Sequence, residues 1–465
     1  MGFQKLAGRT FAEAAEALKQ ELDGDFVVPG ENEWDEARQA WNLAVDQQPA
    51  AVALPESSTD VQAVVDFARE QGLRIAPQGT GHNAGALAAY GPLSDTILLK
   101  TSRMRGVRVD PENRRARAEA GVLWLEVVQA ATAHGLAPLS GSSPDVGVVG
   151  YTLGGGLSWL SRKHGIAANN VLAVELVTAD GRFVRADKNT EPELFWALRG
   201  GGGAFGAVTA IEFELHPLTE AYAGMLFFPV ERAPEVLRAW RDWSEGLTSD
   251  TTAVARILHL PPLPDIPEPM RGKSFVAVEM IHLGNEEEGF RLIQPMRNLG
   301  PVADNVRLIP AAELPHVHMD PEHPVPGSGD GMVLDALTDD AIDALVARSG
   351  KPGESALLSI EIRQLGGEIA RRREGNGALA AIEAPYVMFA VGIAATPDMK
   401  AAVQAEVEDV HALFASYESE SMYLNFAEGR REPKQLWGEF TAARLAAIKD
   451  RVDPTDMFRS NHPVR

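Results

Sequence analysis

The first part of the chain switches between helical and strand periodicity. Phe11, Ala14, Ala15, Leu18 and Leu22 recur at helical spacing and predict a helix over 10–22, with another over 34–42. Residues 51–54 form a short apolar run of strand type. Ser57, Ser58 and Thr59 then offer helix N-caps, and Val61, Val64, Val65 and Ala68 build one apolar face that ends at Gly72. Residues 73–77 predict the next strand. This strand–helix–strand unit runs straight into residues 78–85, Q-G-T-G-H-N-A-G, where three glycines surround His82. Glycine lets a backbone reach positive φ and approach a flat or anionic ligand closely, so this loop is the first candidate binding element.

A dinucleotide fingerprint needs G-x-G-x-x-G opening a helix. Here Gly79 and Gly81 are followed by Gly85, one position late, and Gly91-Pro92 stops the segment before a long helix forms. Strands over 96–100, 107–110 and 115–120 follow instead, so a Rossmann fold is set aside. A helix over 123–134 ends at Gly135 and leads to a second glycine-rich segment, 141–156, G-S-S-P-D-V-G-V-V-G-Y-T-L-G-G-G. A buried-type strand over 171–178 and a short helix over 193–198 precede a third, 199–206, R-G-G-G-G-A-F-G, which enters a strand over 208–215. Successive backbone N–H groups in such turns can form anion nests.

Past His216-Pro217 the texture changes. Strands over 274–279, 356–362 and 386–393 alternate with helices over 232–247, 286–297, 338–349 and 397–417, with proline-rich stretches at 261–269 and 315–326. This pattern predicts a second domain built on an antiparallel sheet. From Ser421 the texture reverts, with a strand over 422–426, a helix over 433–452 and a tail opening at Asp453-Pro454. The expected organisation is α+β: one domain from 1–217 and 418–465, and an inserted one over 218–417. A chain of 465 residues is long enough for two cores.

Charge and composition narrow the partners. Asp and Glu number 65 against 43 Lys and Arg, a net −22 that argues against nucleic acid or an anionic membrane surface. With no cysteine, disulfides, thiolate nucleophiles and cysteine zinc sites are excluded. Residues 1–10 lack a basic stretch followed by an apolar run, and Leu6 stands where a myristoylation motif has Ser or Thr. No apolar run reaches the ~18 residues of a membrane span. The expected setting is the cytoplasm, and the expected state is a monomer or homodimer acting on a small molecule.

Taken together, the motifs carry a family likeness. They are Trp41-Asn42, V-A-L-P-E-S-S-T-D-V-Q at 52–62, the His82 loop, P-D-V-G-V-V-G-Y-T-L-G-G-G-L-S-W-L-S-R-K-H-G-I-A-A-N-N-V at 144–171, and F-W-A-L-R-G-G-G-G-A-F-G-A-V-T at 195–209. Y-L-N-F at 423–426, R-L-A-A-I-K at 444–449 and D-P-T-D-M-F-R at 453–459 complete the set. The chain resembles the vanillyl-alcohol-oxidase-type flavoproteins, in their berberine-bridge-enzyme-like branch, over nearly its whole length. The resemblance implies a two-domain FAD-binding fold with an antiparallel-sheet substrate domain.

It further implies oxidation of a C–H bond next to N or O by hydride transfer to flavin N5, with dioxygen as acceptor. A dehydrogenase, an oxidative cyclase of natural-product metabolism and a catalytically idle flavin- or ligand-binding protein are the alternatives. His82 matches the histidine that bonds covalently to the flavin. The cysteine that makes a second bond in many members is Ser143 here, which implies a single link, as in the D-specific hydroxynicotine oxidases. The expected cofactor contacts are Gln78, Gly79, Thr80, Gly81, His82, Asn83 and Ala84 from the first loop. From the second come Ser143, Pro144, Asp145, Val146, Gly147, Gly150, Tyr151, Gly154, Gly155 and Gly156, joined by Gly206, Val208 and Asn425.

Tyr423 and Asn425 are the expected catalytic residues. Two departures from the family pattern, Leu157 and Phe426 where tyrosines are usual, weaken a tyrosine base and point to an apolar, amine-accepting pocket. Val146 matches a position where relatives admit oxygen. The run H-V-H-M-D-P-E-H, with His316, His318 and His323, follows no trusted metal spacing and is expected to be a surface loop or lid, with no metal.

Overall fold

A computed structural model describes residues 10–264, 266 and 268–465. The leader considered at residues 1–10 therefore lies, Thr10 apart, outside the described residues. Thr10 caps the helix Phe11–Glu21 through the Glu13 backbone, and Glu13 reaches back to the Thr10 N–H. The helix Ser58–Gln71 starts at Ser57, whose hydroxyl accepts from the Asp60 N–H, and ends at Gly72 with φ 68°.

Two sheets make up the first unit. Four strands lie in the order Asp25–Val27, Ala51–Leu54, Thr96–Lys100, Arg74–Gln78, with Thr96–Lys100 parallel to both its neighbours and the first pair antiparallel. Five antiparallel strands follow in the order Val107–Asp110, Arg115–Glu119, Ala207–Glu214, Val171–Val177, Phe183–Asp187. The C-terminal tail returns to this unit. Met457 and Arg459 bond to Ile75 from either side of Phe458, extending the four-stranded sheet. Buried Lys449 bonds to Asp453, the Ala204 carbonyl and the Phe458 carbonyl, tying the helix Pro433–Val452 to the third glycine-rich turn.

Between these parts lies an eight-stranded antiparallel sheet. Its central strands run Glu220–Pro229, Ser274–His282, Thr251–His259, Ser359–Gln364, Tyr386–Ile393, Gly327–Leu334. Alternation divides its faces. Ala253, Ala255 and Ile257 pack under the helices Ala233–Glu245, Asp339–Ser349 and Pro397–Phe414 in one large core. Val254 and its neighbours face the first unit, where Ala221, Ala223 and Ile281 meet Trp159 and Leu160.

Four sequence expectations change. The helix expected over 34–42 is the single turn Trp34–Ala37. Residues 148–153, read as loop, form the short helix Val148–Leu153. Residues 422–426, read as strand, hold the 3-10 turn Leu424–Phe426, because the Phe426 N–H turns back to the Tyr423 carbonyl. The strands Glu220–Pro229, Thr251–His259 and Gly327–Leu334 were not predicted. In the last, Gly329 and Gly331 weaken the strand signal. Added Cβ atoms there would meet the Phe389 ring at 3.0 Å and the Phe426 Cβ at 2.7 Å, so glycine permits the close approach.

Candidate active site

The three glycine-rich segments converge on one cavity. Gln78, Gly79 and Asn83 come from the first segment, Val149, Gly150, Leu153 and Gly154 from the second, and Gly202, Gly203 and Gly206 from the third. Leu424, Asn425 and the tail residues Arg459, Ser460, Asn461 and His462 close it. An added Cβ at Gly150 would meet nothing within 4 Å, and at Gly202 and Gly203 only a leucine methyl at 3.9 Å. The bare backbone therefore forms the wall itself. Such a wall suits a large planar and anionic group. Buried Arg459 adds a cation beside it.

Beside this cavity the His82 ring is held from three directions. It stacks on Trp41 with centroids 3.9 Å apart and planes 17° apart. Its Nδ1 lies 2.6 Å from Thr80 Oγ1, and its Nε2 lies 3.5 Å from Asp145 Oδ1. Trp41 Nε1 donates to Asp145 Oδ2 at 2.6 Å, closing a Trp–Asp–His triangle. Burial would raise the Asp145 carboxyl, but His82 and Trp41 outweigh it and hold it below its ordinary value. His82 Nε2, Asn83 Oδ1 and Asp145 Oδ1 are buried without a hydrogen-bond partner among the described residues. Orphaned polar atoms of this kind fit a missing polar ligand, as FAD would be.

Tyr423 sits behind the second segment. Its hydroxyl accepts from the Leu157 N–H at 2.9 Å and from Asn425 Nδ2 at 3.0 Å. Asn425 also donates to the Tyr151 carbonyl at 2.9 Å. Burial pushes Tyr423 up to about 12, against the pull of those donors. With both acceptor positions used and the phenol neutral, Tyr423 is equipped to donate a proton-sharing hydrogen bond rather than to act as base. Tyr151 is raised too, chiefly by burial, and its hydroxyl donates to the Leu139 carbonyl at 3.1 Å.

The face of the eight-stranded sheet turned toward these residues is charged. Arg256, Glu279, Glu361 and Arg363 come from three adjacent strands, and His318 enters from the loop before Gly327–Leu334. His318 Nδ1 lies 2.7 Å from Glu279 and its Nε2 2.8 Å from Glu361. Arg256 Nε is 2.7 Å from Glu279, and Arg363 binds both Glu361 oxygens at 2.9 and 3.1 Å. The result is an alternating array, Arg256–Glu279–His318–Glu361–Arg363. Burial and Arg256 would push His318 down, but Glu279, Asp320 and Glu361 outweigh them and raise it to about 9. Asp320 lies 3.8 Å from His318 and accepts from Ser143. Arg363 ends the array with its guanidinium 5.7 Å from the Trp159 ring and 5.2 Å from the Phe426 ring.

Of the expected cofactor contacts, Gln78, Gly79, Asn83, Gly150, Gly154, Gly206, Val208 and Asn425 line the cavity. Thr80, Gly81, His82, Asp145 and Gly147 form the adjoining loop pair, with Ala84 buried behind it and Pro144 and Val146 accepting from Leu125 and Trp124. Gly155 and Gly156 are off the cavity wall. They adopt φ 121° and 82°, and a Cβ would strike Leu379 at 2.6 Å and Tyr151 at 2.5 Å, so their role is in the turn. Ser143 is turned to Asp320.

The apolar-pocket expectation is corrected by the charged array, and the surface-loop expectation fails at His318, which is buried at 2 % exposure. His316, paired with Glu322 at 2.7 Å, and His323 are at the surface as expected for such a loop. His164 stacks on His216 at 3.9 Å, in a pair of its own. Sequence reading missed Arg256, Glu279, Glu361, Arg363 and the tail residues. Charged positions inside otherwise apolar strands were the available signal.

Comparison with known proteins agrees with this geometry. The FAD binding domain family matches residues 49–187, and the berberine and berberine-like family matches residues 422–465. The chain is 28% identical to (R)-6-hydroxynicotine oxidase of Paenarthrobacter nicotinovorans, over 95% of this chain and 97% of that one. It is 32% identical to glucooligosaccharide oxidase of Sarocladium strictum over 48% of this chain and 45% of the other. The crystal structure of 6-hydroxy-D-nicotine oxidase from Arthrobacter nicotinovorans superposes with a TM-score of 0.81 at 24% identity, covering 96% of this chain and 98% of that one. Wild-type Physcomitrella patens BBE-like 1 superposes with a TM-score of 0.81 at 20% identity, covering 97% and 99%. The fold is thus shared with these proteins, and the chain, which carries a match to the FAD binding domain family and to the berberine and berberine-like family, is similar over nearly its whole length to FAD-linked oxidoreductases.

Proposed function

We propose that the protein is an oxidase that removes a hydride from a C–H bond next to N or O of a small molecule, with FAD joined to it once, through His82. The observation that carries this reading is the glycine-walled cavity adjoining the held His82 ring and its unpartnered polar atoms. Bound FAD supplies a hydride-accepting centre at N5 that dioxygen can reoxidise.

The chain's residues supply position and exclusion. Trp41, Thr80 and Asp145 fix the imidazole. Ser143, a serine engaged with Asp320, provides no second covalent link. Asn425 holds Tyr423, whose free phenol proton is available to a substrate heteroatom. The charged sheet face covers the site and fixes substrate orientation in a region kept from bulk water.

Turnover under air with a panel of amines, secondary alcohols and sugars tests the reaction type. One hydrogen peroxide per substrate oxidised supports an oxidase. Product that forms only with an artificial electron acceptor indicates a dehydrogenase. Flavin that neither photoreduces nor reoxidises at enzyme-like rates indicates a binding protein.

A further inference from the structure

The charged array ends in an unmatched donor. Glu279 is shared by Arg256 and His318, and Glu361 by His318 and Arg363, so two carboxylates serve three cations. Asp320, the remaining anion, lies 3.8 Å from His318 and is engaged by Ser143. Arg363 spends Nε on Glu361 and Nη2 on Glu361 and Ser142, with His318 Nε2 3.4 Å away. Its Nη1 makes no hydrogen bond among the described residues. Tyr423 is in the same position: its oxygen accepts twice and its proton has no acceptor among the described residues. Both groups lie against one ring, with the Arg363 guanidinium 5.2 Å from the Phe426 centroid and the Tyr423 ring 5.0 Å from it, edge-on.

Two unmet donors, one of them a fixed cation, call for an acceptor-only ligand with two oxygens. A carboxylate is the side group that meets this description. A protonated amine does not, since it brings only donors to a permanent positive charge. We propose that the substrate is an organic acid whose carboxylate is anchored by Arg363 Nη1 and the Tyr423 hydroxyl, which makes Arg363 a substrate-binding and specificity-determining residue. The proposal rests on the oxidase reading for the identity of the site, but not for the anchor itself.

The test uses benzoate, benzamide and benzylamine as probes of the purified holoprotein, read by calorimetry and by the flavin absorption spectrum. The expected result is benzoate binding at least tenfold tighter than benzamide, with a shifted flavin band, and no binding of benzylamine. Arg363→Gln is expected to abolish the preference for benzoate. Because that change leaves Glu361 short of a partner, the double variant Glu361→Gln, Arg363→Gln is measured beside it, with circular dichroism and flavin content confirming the fold. Benzamide or benzylamine binding as tightly as benzoate overturns the proposal, as does unchanged benzoate affinity in a folded Arg363 variant. If the protein carries no flavin, the oxidase reading fails by itself, and calorimetry with benzoate still decides the anchor.

Discussion

The two walls of the site are built in opposite ways. The cofactor wall comes chiefly from three short, contiguous segments whose glycines expose backbone, with polar side chains added mainly by the C-terminal tail. The opposite wall comes from single residues on separate strands, 256, 279, 361 and 363, plus His318 from a loop. Its chemistry is side-chain charge, interlocked except at the Arg363 end. The first wall is suited to a ligand that does not vary, and the second can change one residue at a time on an unchanged sheet. Relatives named for a nicotine derivative and for a glucooligosaccharide, both matched by this chain, accord with that division.

The comparison can be broken most forcefully at Glu361. Replacing it by Ala leaves His318 and Arg363 buried with no shared anion, a defect of about 3–5 kcal/mol. The expected outcome is a clear fall in the urea unfolding midpoint. Glu361→Gln, which keeps hydrogen bonding, should fall less. On the other wall, Gly150→Leu should leave the fold nearly intact, since a side chain there meets only open cavity. FAD retention should drop at least 100-fold, measured by the ratio of flavin to protein absorbance after gel filtration.

Tyr423→Phe sits between the walls. It removes an acceptor from Leu157 and Asn425 and a donor to the substrate. Turnover should fall about tenfold, near the 1.4 kcal/mol of one lost hydrogen bond. The pH profile should keep its shape, because a phenol held neutral is not the titrating base. An alkaline limb that vanishes in Tyr423→Phe would instead make it one.

A stability effect spread over several pH units comes from His318. His318 is raised to about 9 in the fold against an ordinary 6.5, so the folded state binds the extra proton in between. Its stabilisation is complete below pH 6.5 and is lost as pH rises through 9. Stability should decline by up to about 1.4 kcal/mol per pH unit across that window. His318→Asn should flatten the slope, as followed by thermal unfolding at stepped pH.

The same division explains what the sequence revealed. Residues 78–85 and 141–156 announce themselves because the glycines that make a cradle are adjacent in the chain. The helix Ser58–Gln71 is legible from Ser57, four apolar positions and Gly72. The charged wall is not legible, because Arg256 and Glu361 become neighbours only through strand register. H-V-H-M-D-P-E-H looks like an exposed loop by composition, yet the register of two distant carboxylates draws His318 inside. Leu157 suggested an apolar pocket. It is in fact a backbone donor to Tyr423, a role independent of its side chain.

The most direct test of the account is the mass of the intact, acid-denatured protein, taken with the colour of the precipitate. The account predicts a yellow pellet and a mass increase of one FAD, both lost in His82→Ala. Colour left in the supernatant with an unmodified mass would contradict the covalent link, and an adduct that survives in His82→Ala would contradict its place.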